Sequence, residues 1–173
     1  MFNLKKFIMI KELVSQYATK DGKTVDVNLK ALAKDKDFRE EAIAAVLKRV
    51  EAKSPTPCVI VPAFDSASTE NHLGSLINEL ALNLQIKALV TGDVSNIKSL
   101  RVRPEAVLII KQSFRTGKGL QDQIEDLKAQ GVGQVSVLCF ISHNSGRMQG
   151  FGHENGVDIE ALVATDDIRY LEG

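Results

Sequence analysis

The chain has no tryptophan, two cysteines and four prolines in 173 residues, and only 5% of it is aromatic. Two cysteines make neither a disulfide framework nor a zinc site. Cys58 and Cys139 each sit in or beside an apolar run, so both are expected as buried thiols. Net charge is also absent, with 22 basic and 22 acidic residues. That removes any global electrostatic case for nucleic acid or an anionic membrane as partner, while leaving room for a local basic patch. No apolar run is long enough to span a bilayer. The first ten residues, MFNLKKFIMI, lack the continuous apolar stretch and small-residue cleavage site of a secretory signal, so the expected location is cytoplasmic.

What remains is an ordinary globular composition, 44% apolar and 25% charged, long enough to bury a core without staples. One domain is expected over 1–173, with 1–36 as a helix/strand appendage and 37–173 as the core. Residues 4 to 17 have loosely helical apolar spacing. Asp21-Gly22 reads as a turn, and Val25, Val27 and Leu29 alternate as in a half-buried strand. Phe38, Ala42, Ile43, Val46, Leu47 and Val50 then repeat at helical spacing, with Asp37 as the expected cap.

Four short β-branched apolar runs follow, Cys58–Val61, Ile86–Thr91, Val107–Ile110 and Val135–Ile141, with a last one at Ile159–Ala164. Helical patterns separate some of them: Leu73, Leu76, Ile77, Leu80 and Leu84 form one face, capped by Ser68 or Thr69, and Leu120, Ile124 and Leu127 form another. Such an alternation predicts an α/β fold with a mostly parallel central sheet flanked by helices. Ligands of such sheets bind beyond the carboxyl ends of the strands. Those ends are the expected loops 62–68, 111–119 and 142–156.

One segment is chemically pointed. Val107-Leu108-Ile109-Ile110-Lys111-Gln112-Ser113-Phe114-Arg115-Thr116-Gly117-Lys118-Gly119-Leu120 carries a buried strand into a glycine-containing loop and then a helix. Backbone N–H groups at such a helix start favour an anion, and Arg115, Thr116 and Lys118 add charge and a hydroxyl. A tight turn that needs glycine for its geometry is the alternative. The segment is not a Walker A loop, since Gln112 stands where that motif needs glycine and Gly119 where it needs Ser or Thr.

This segment resembles the phosphoribosyl-diphosphate (PRPP) signature of the type I phosphoribosyltransferases, in which an apolar strand ends in two acidic residues and leads into a Thr-Gly-rich loop. Other pieces in order resemble the orotate phosphoribosyltransferases: Thr24 to Leu32 with the helix 38–51, Val59-Ile60-Val61-Pro62-Ala63-Phe64-Asp65-Ser66, and Asp158 to Asp167. The resemblance covers most of the chain. It implies that fold, a 5′-phosphate held by Arg115, Thr116, Gly117, Lys118 and Gly119, and a pyrophosphate loop at Ala63, Phe64, Asp65 and Ser66. It also implies that Asn144, Ser145 and Arg147 lie near a ligand ring or phosphate, although exposed loop residues read equally well there. Enzymes of this family are commonly dimers, which implies a homodimer.

The departures from the family pattern fall on its chemistry. The acidic pair that would hold the ribose hydroxyls is Lys111 and Gln112. Neither is negative, and Lys111 would repel the magnesium that accompanies the diphosphate. The mobile closing loop falls in Gly92 to Glu105, which is short; it has Lys98, Arg101 and Arg103 but no His-Gly pair. Three readings follow. The first is a homologue that binds a phosphorylated ribose compound or nucleotide with lost or weak transferase activity. The second is a magnesium-dependent, PRPP-using enzyme of nucleotide metabolism. The third is an interaction domain without a ligand. His143 and His153, ten residues apart, fit no metal pattern, and His72 reads as a helix-surface residue.

Overall fold

The computed structural model describes residues 4–63, 74–88, 94, 97 and 105–168. Helix α1 (Leu4–Gln16) leads into a hairpin of β1 (Ala18–Asp21) and β2 (Thr24–Val27), and the short α2 (Leu29–Leu32) follows. The hairpin is antiparallel, pairing Ala18 with Val27 and Asp21 with Thr24, and Gly22 turns it at φ 58°. Helix α3 (Lys36–Glu51) buries Phe38, Ala42, Ile43, Val46 and Val50, the face its spacing predicts.

The remaining elements build the main sheet: β3 (Val59–Pro62), α4 (Gly74–Leu84), β4 (Lys87–Ala88), β5 (Ala106–Phe114), α5 (Leu120–Ala129), β6 (Gln134–Ser142), α6 (Ser145–Asn155), β7 (Asp158–Ala164) and α7 (Thr165–Ile168). The strand order is β4-β3-β5-β6-β7, and every pair is parallel. The central strands read as unbroken apolar runs because both faces are covered. Ile60, Leu108, Ile110 and Leu138 join residues of α1, α3 and α4 on one face. Val59, Val61, Val107, Ile109 and Val137 join Leu120, Ile124, Leu127 and Met148 of α5 and α6 on the other.

The chain steps from β3 out to β4, then returns past β3 to β5 and continues the other way. A right-handed crossover that reverses direction must change faces, which is why α4 lies on one face and α5 and α6 on the other. The order therefore reverses between β3 and β5, where open sheets leave a crevice. Two bonds fasten this point. Ala63 N–H donates to the Ile110 carbonyl at 2.8 Å, and the buried Gln123 Nε2 donates to the Pro62 carbonyl at 2.9 Å.

Four expectations need correction. Asp35 caps α3, not Asp37: its Oδ1 accepts the Phe38 N–H at 2.8 Å, while Oδ2 accepts the Tyr17 hydroxyl at 2.6 Å. Leu29 opens α2 instead of extending the strand, because Asn28 caps that turn by accepting the Ala31 N–H. Strand β5 runs on to Phe114, pairing Ser113 with Ile141 and Phe114 with Ser142, so the loop after it begins at Arg115. Residues 142–156 are not a loop: Asn144 caps a helix there, and Gly156 closes it at φ 60°. The expectations for Phe64, Asp65, Ser66, Ser68, Thr69, His72 and Leu73, and for Lys98, Arg101 and Arg103, lie outside the described residues.

The cap makes a clean test. Asp35→Ala should lower stability by about 1–2 kcal/mol, the usual cost of losing an N-cap side chain. Asp37→Ala should stay within about 0.5 kcal/mol of the parent, as exposed substitutions do. Urea unfolding of the two variants checks both.

Candidate functional site

The carboxyl end of β5 builds the site. Arg115 to Gly119 link β5 to α5, and the backbone turns twice through the left-handed region, at Gly117 (φ 74°) and Gly119 (φ 79°). Gly119 is the N-cap of α5 and gives it no side-chain cap. Leu120 N–H bonds the Gly117 carbonyl and Gln123 N–H bonds the Gly119 carbonyl, while Gln121 and Asp122 N–H take no backbone acceptor among the described residues. Uncapped N–H groups with the positive end of the helix dipole suit an anion. Asp122 in the same turn opposes one.

Helix α6 forms the facing wall. An open crevice of about 570 Å³ lies between them, lined by Thr116 to Gly119, Gln121 and Asp122 on one side and Arg147, Gly150, Phe151, Glu154 and Asn155 on the other. The α6 residues fall at helical spacing, one stripe of one helix. Lys118 and Arg147 are offset by Asp122 and Glu154, so these four side chains are neutral together. Phe151 fixes the loop's position. Its ring meets Phe114 edge-on at 5.6 Å, and a Cβ on Gly117 would lie 2.6 Å from two of its carbons. Phe151, Glu154 and Asn155 carry no site role in the sequence pattern, because the glycines and polar residues of 142–156 read as a loop; the 147, 151, 154 spacing is the signal that marks the helix face.

The expected residues separate as follows. Thr116, Gly117, Lys118, Gly119 and Arg147 meet at the crevice. Thr116 Oγ1 accepts the Lys118 N–H at 3.4 Å, a long bond that leaves the hydroxyl exposed. Arg115 turns away and pairs with Asp26 of the hairpin. Asn144 uses its side chain on the Arg147 N–H, 2.9 Å away, as the cap of α6, and Ser145 opens that helix. Ala63 is half-buried at the end of β3. His143 precedes the cap of α6 and His153 lies in its last turn, so most of the helix length separates them.

Lys111 and Gln112 lie within β5, so they point to opposite faces of the sheet. Gln112 reaches a small apolar hollow with Leu29, Leu32, Phe38 and Phe140. Lys111 shares the side of Val107 and Ile109, stands across from Cys139 in the register and is 8% exposed. No hydrogen bond or ion pair of Lys111 is found among the described residues. Burial pushes the Cys139 thiol up to about 12, against the pull of the Lys111 charge. His143 is held below its ordinary value, first by burial and then by the Arg115 charge; a hydrogen bond with the Val25 backbone and the Asp26 carboxylate act the other way.

Two predictions follow from this geometry. Gly117→Ala should lose about 2–5 kcal/mol of stability, summing left-handed strain and overpacking against Phe151. Gly22→Ala, with a similar φ but nothing within 4 Å, should lose only about 1–2 kcal/mol. Separately, because His143 binds its proton less readily folded than unfolded, stability should fall as pH drops below 6.5 toward the lowered folded value. Urea midpoints at pH 7.5 and 5.5 should show a drop that His143→Gln reduces.

No family model matches the chain, and no curated protein matches it. Solved structures do. Orotate phosphoribosyltransferase from Aeropyrum pernix superposes with a TM-score of 0.69 at 16% identity, over 95% of this chain and 100% of that one. Adenine phosphoribosyltransferase from Leishmania donovani superposes at 0.64 and 12% identity, over 91% and 80%. The orotate enzyme of Mycobacterium tuberculosis, in complex with inorganic phosphate, gives 0.62 and 13%, over 94% and 90%. The same enzyme with PRPP gives 0.61 and 12%, over 96% and 93%. The parallel sheet between two helical layers is thus the fold of the type I phosphoribosyltransferases.

Proposed function

We propose that this chain binds a phosphorylated ribose compound or a nucleotide as a bare anion, with its phosphate on the Thr116–Gly119 loop, and has lost most or all transferase activity. The observation that carries the reading is Lys111. Lys111 is 8% exposed and without a hydrogen bond or ion pair among the described residues, and it stands near the end of the central strand that leads into the Thr116–Gly119 loop, where a cation suits an anionic partner. The uncapped start of α5 and the paired left-handed glycines support the same ligand class. Solved structures of the M. tuberculosis orotate enzyme that share this fold hold inorganic phosphate in one case and PRPP in another.

The donor set argues against a magnesium–diphosphate complex at this point of the strand. Lys111 and Gln112 offer no carboxylate. Magnesium-assisted departure of diphosphate depends on charge stabilisation placed at the leaving group. A cation at Lys111 repels the metal and attracts the phosphate oxygens directly.

Thermal unfolding with PRPP, ribose 5-phosphate or a nucleoside monophosphate, each with magnesium or chelator, tests the proposal. A ligand at about 100 times its Kd adds roughly 2.7 kcal/mol, and the shift should persist in chelator. Lys111→Met should leave the unliganded protein as stable or more so, while weakening binding about 10- to 100-fold, the worth of a charge-assisted hydrogen bond. A shift seen only with PRPP and magnesium, accompanied by diphosphate release, would instead establish a working transferase. No shift with any ligand would leave the interaction-domain reading.

A further inference from the structure

Among the described residues Lys111 is the only buried side chain that carries a charge; the other buried polar ones are Gln123, Ser136, Ser142 and Thr165. Its neighbours on the adjoining strands are uncharged. Cys139 stands across from it on β6, and Ala63 follows the paired Pro62 on the β3 side. Val107 and Ile109, which precede it on the same side of β5, belong to the apolar cluster that α5 and α6 cover. A lysine enclosed by uncharged groups is the setting in which this amine serves as a nucleophile toward carbonyl compounds. Position adds a second element. Lys111 lies three residues before the end of β5 at Phe114, which is about 10 Å at the usual rise of a strand. Its flexible stem shortens the gap to the Thr116–Gly119 loop further. The crevice at that loop is walled by α5 and α6, the helices on the same side of the sheet as Lys111. Lys111 is not in the lining, so a ligand meets its amine only by reaching from the loop toward the strand.

We infer that Lys111 captures the open-chain form of a phosphorylated aldose as an imine, with the sugar's phosphate on the Thr116–Gly119 loop and its aldehyde carbon on the lysine nitrogen. This rests on the phosphate reading above and names the ligand class of that site. The spans agree. An open-chain pentose 5-phosphate holds its aldehyde carbon and its phosphorus about six bonds apart, about 7 Å when extended. A phosphate anchored on the loop therefore delivers the aldehyde toward the end of β5. Anchoring also replaces a bimolecular encounter with an intramolecular one, which favours capture from the minor open-chain form. The step is a condensation. The Lys111 amine, having given one proton to water, adds its lone pair to the aldehyde carbon while the carbonyl oxygen takes up a proton. The carbinolamine then sheds its hydroxyl together with a proton from nitrogen, as water, and leaves a C=N bond. One water leaves for each imine formed, and no oxidant or reductant takes part. Ligands whose anomeric carbon is locked, PRPP and the nucleotides, have no aldehyde and bind only through their phosphates.

The experiment uses ribose 5-phosphate and the full chain. The two are incubated with cyanoborohydride, which reduces an imine to a stable secondary amine, and the adduct is located by intact mass and peptide mapping. Parallel samples hold unphosphorylated ribose, PRPP, or ribose 5-phosphate with excess inorganic phosphate, and Lys111→Met is treated alike. Thermal unfolding with ribose 5-phosphate in chelator is recorded beside them. The expected result is one adduct at Lys111, formed about tenfold or more faster than at any other lysine, as anchored reactants allow. It should be slowed by inorganic phosphate and absent with PRPP. Lys111→Met should lose it and keep only the slow labelling of exposed lysines. Labelling spread evenly over the lysines, or equal rates with ribose and ribose 5-phosphate, would overturn the imine. If ribose 5-phosphate still raises the unfolding temperature in that case, the phosphate site stands without it. Neither a thermal shift nor an adduct at Lys111 would overturn both readings.

Discussion

Parallel pairing throughout the main sheet is the constraint on which the rest depends. Parallel neighbours cannot be joined by a tight hairpin, so each step along the sheet needs a crossover, and each crossover brings the chain back to start the next strand from the same edge. Every carboxyl end therefore faces one way. The loop after β5, the cap of α6 and the end of β3 are neighbours for that reason alone, although 63, 115 and 144 are far apart in sequence. Reversal of strand order beside β3 then opens the edge where two of these ends diverge.

Much of this architecture can be read from local pattern. The helical period of Phe38 to Val50 and the unbroken run of Val107 to Ile110 each reflect a single element facing apolar surroundings, and both are visible in one window of sequence. Helix α6 leaves no such trace. Only Met148 and Gly152 are buried in it, and a Cβ on Gly152 would lie 2.5 Å from Ile159. The glycines that suggested a loop are in part a packing device that lets α6 lie close on β7. Its strongest local signal, Asn144 ahead of the first turn, fits a ligand contact as readily as a cap until the Arg147 N–H is placed against it.

The site divides along the same line. Loop glycines and basic residues announce themselves, because a left-handed turn at a helix start needs particular residue types. What each basic residue faces is settled by long-range pairing, which leaves no mark in local sequence. Arg115 and Lys118 look alike on the chain, yet one is tied to the hairpin and the other opens on the crevice. Lys111 and Gln112 look like a pair, yet a strand sends neighbours to opposite sides, one among apolar side chains of α2 and α3 and one toward Cys139.

The Lys111–Cys139 register has a bearing on how the molecule ages. A thiol pushed up to about 12 and fully enclosed is almost wholly protonated at neutral pH, so oxidants and electrophiles find no thiolate to attack. Unfolding returns that thiol to an ordinary value and to water at once. Cys139 is thus chemically silent in the native chain and vulnerable in the unfolded one, and damage there would accumulate only in molecules that have already opened.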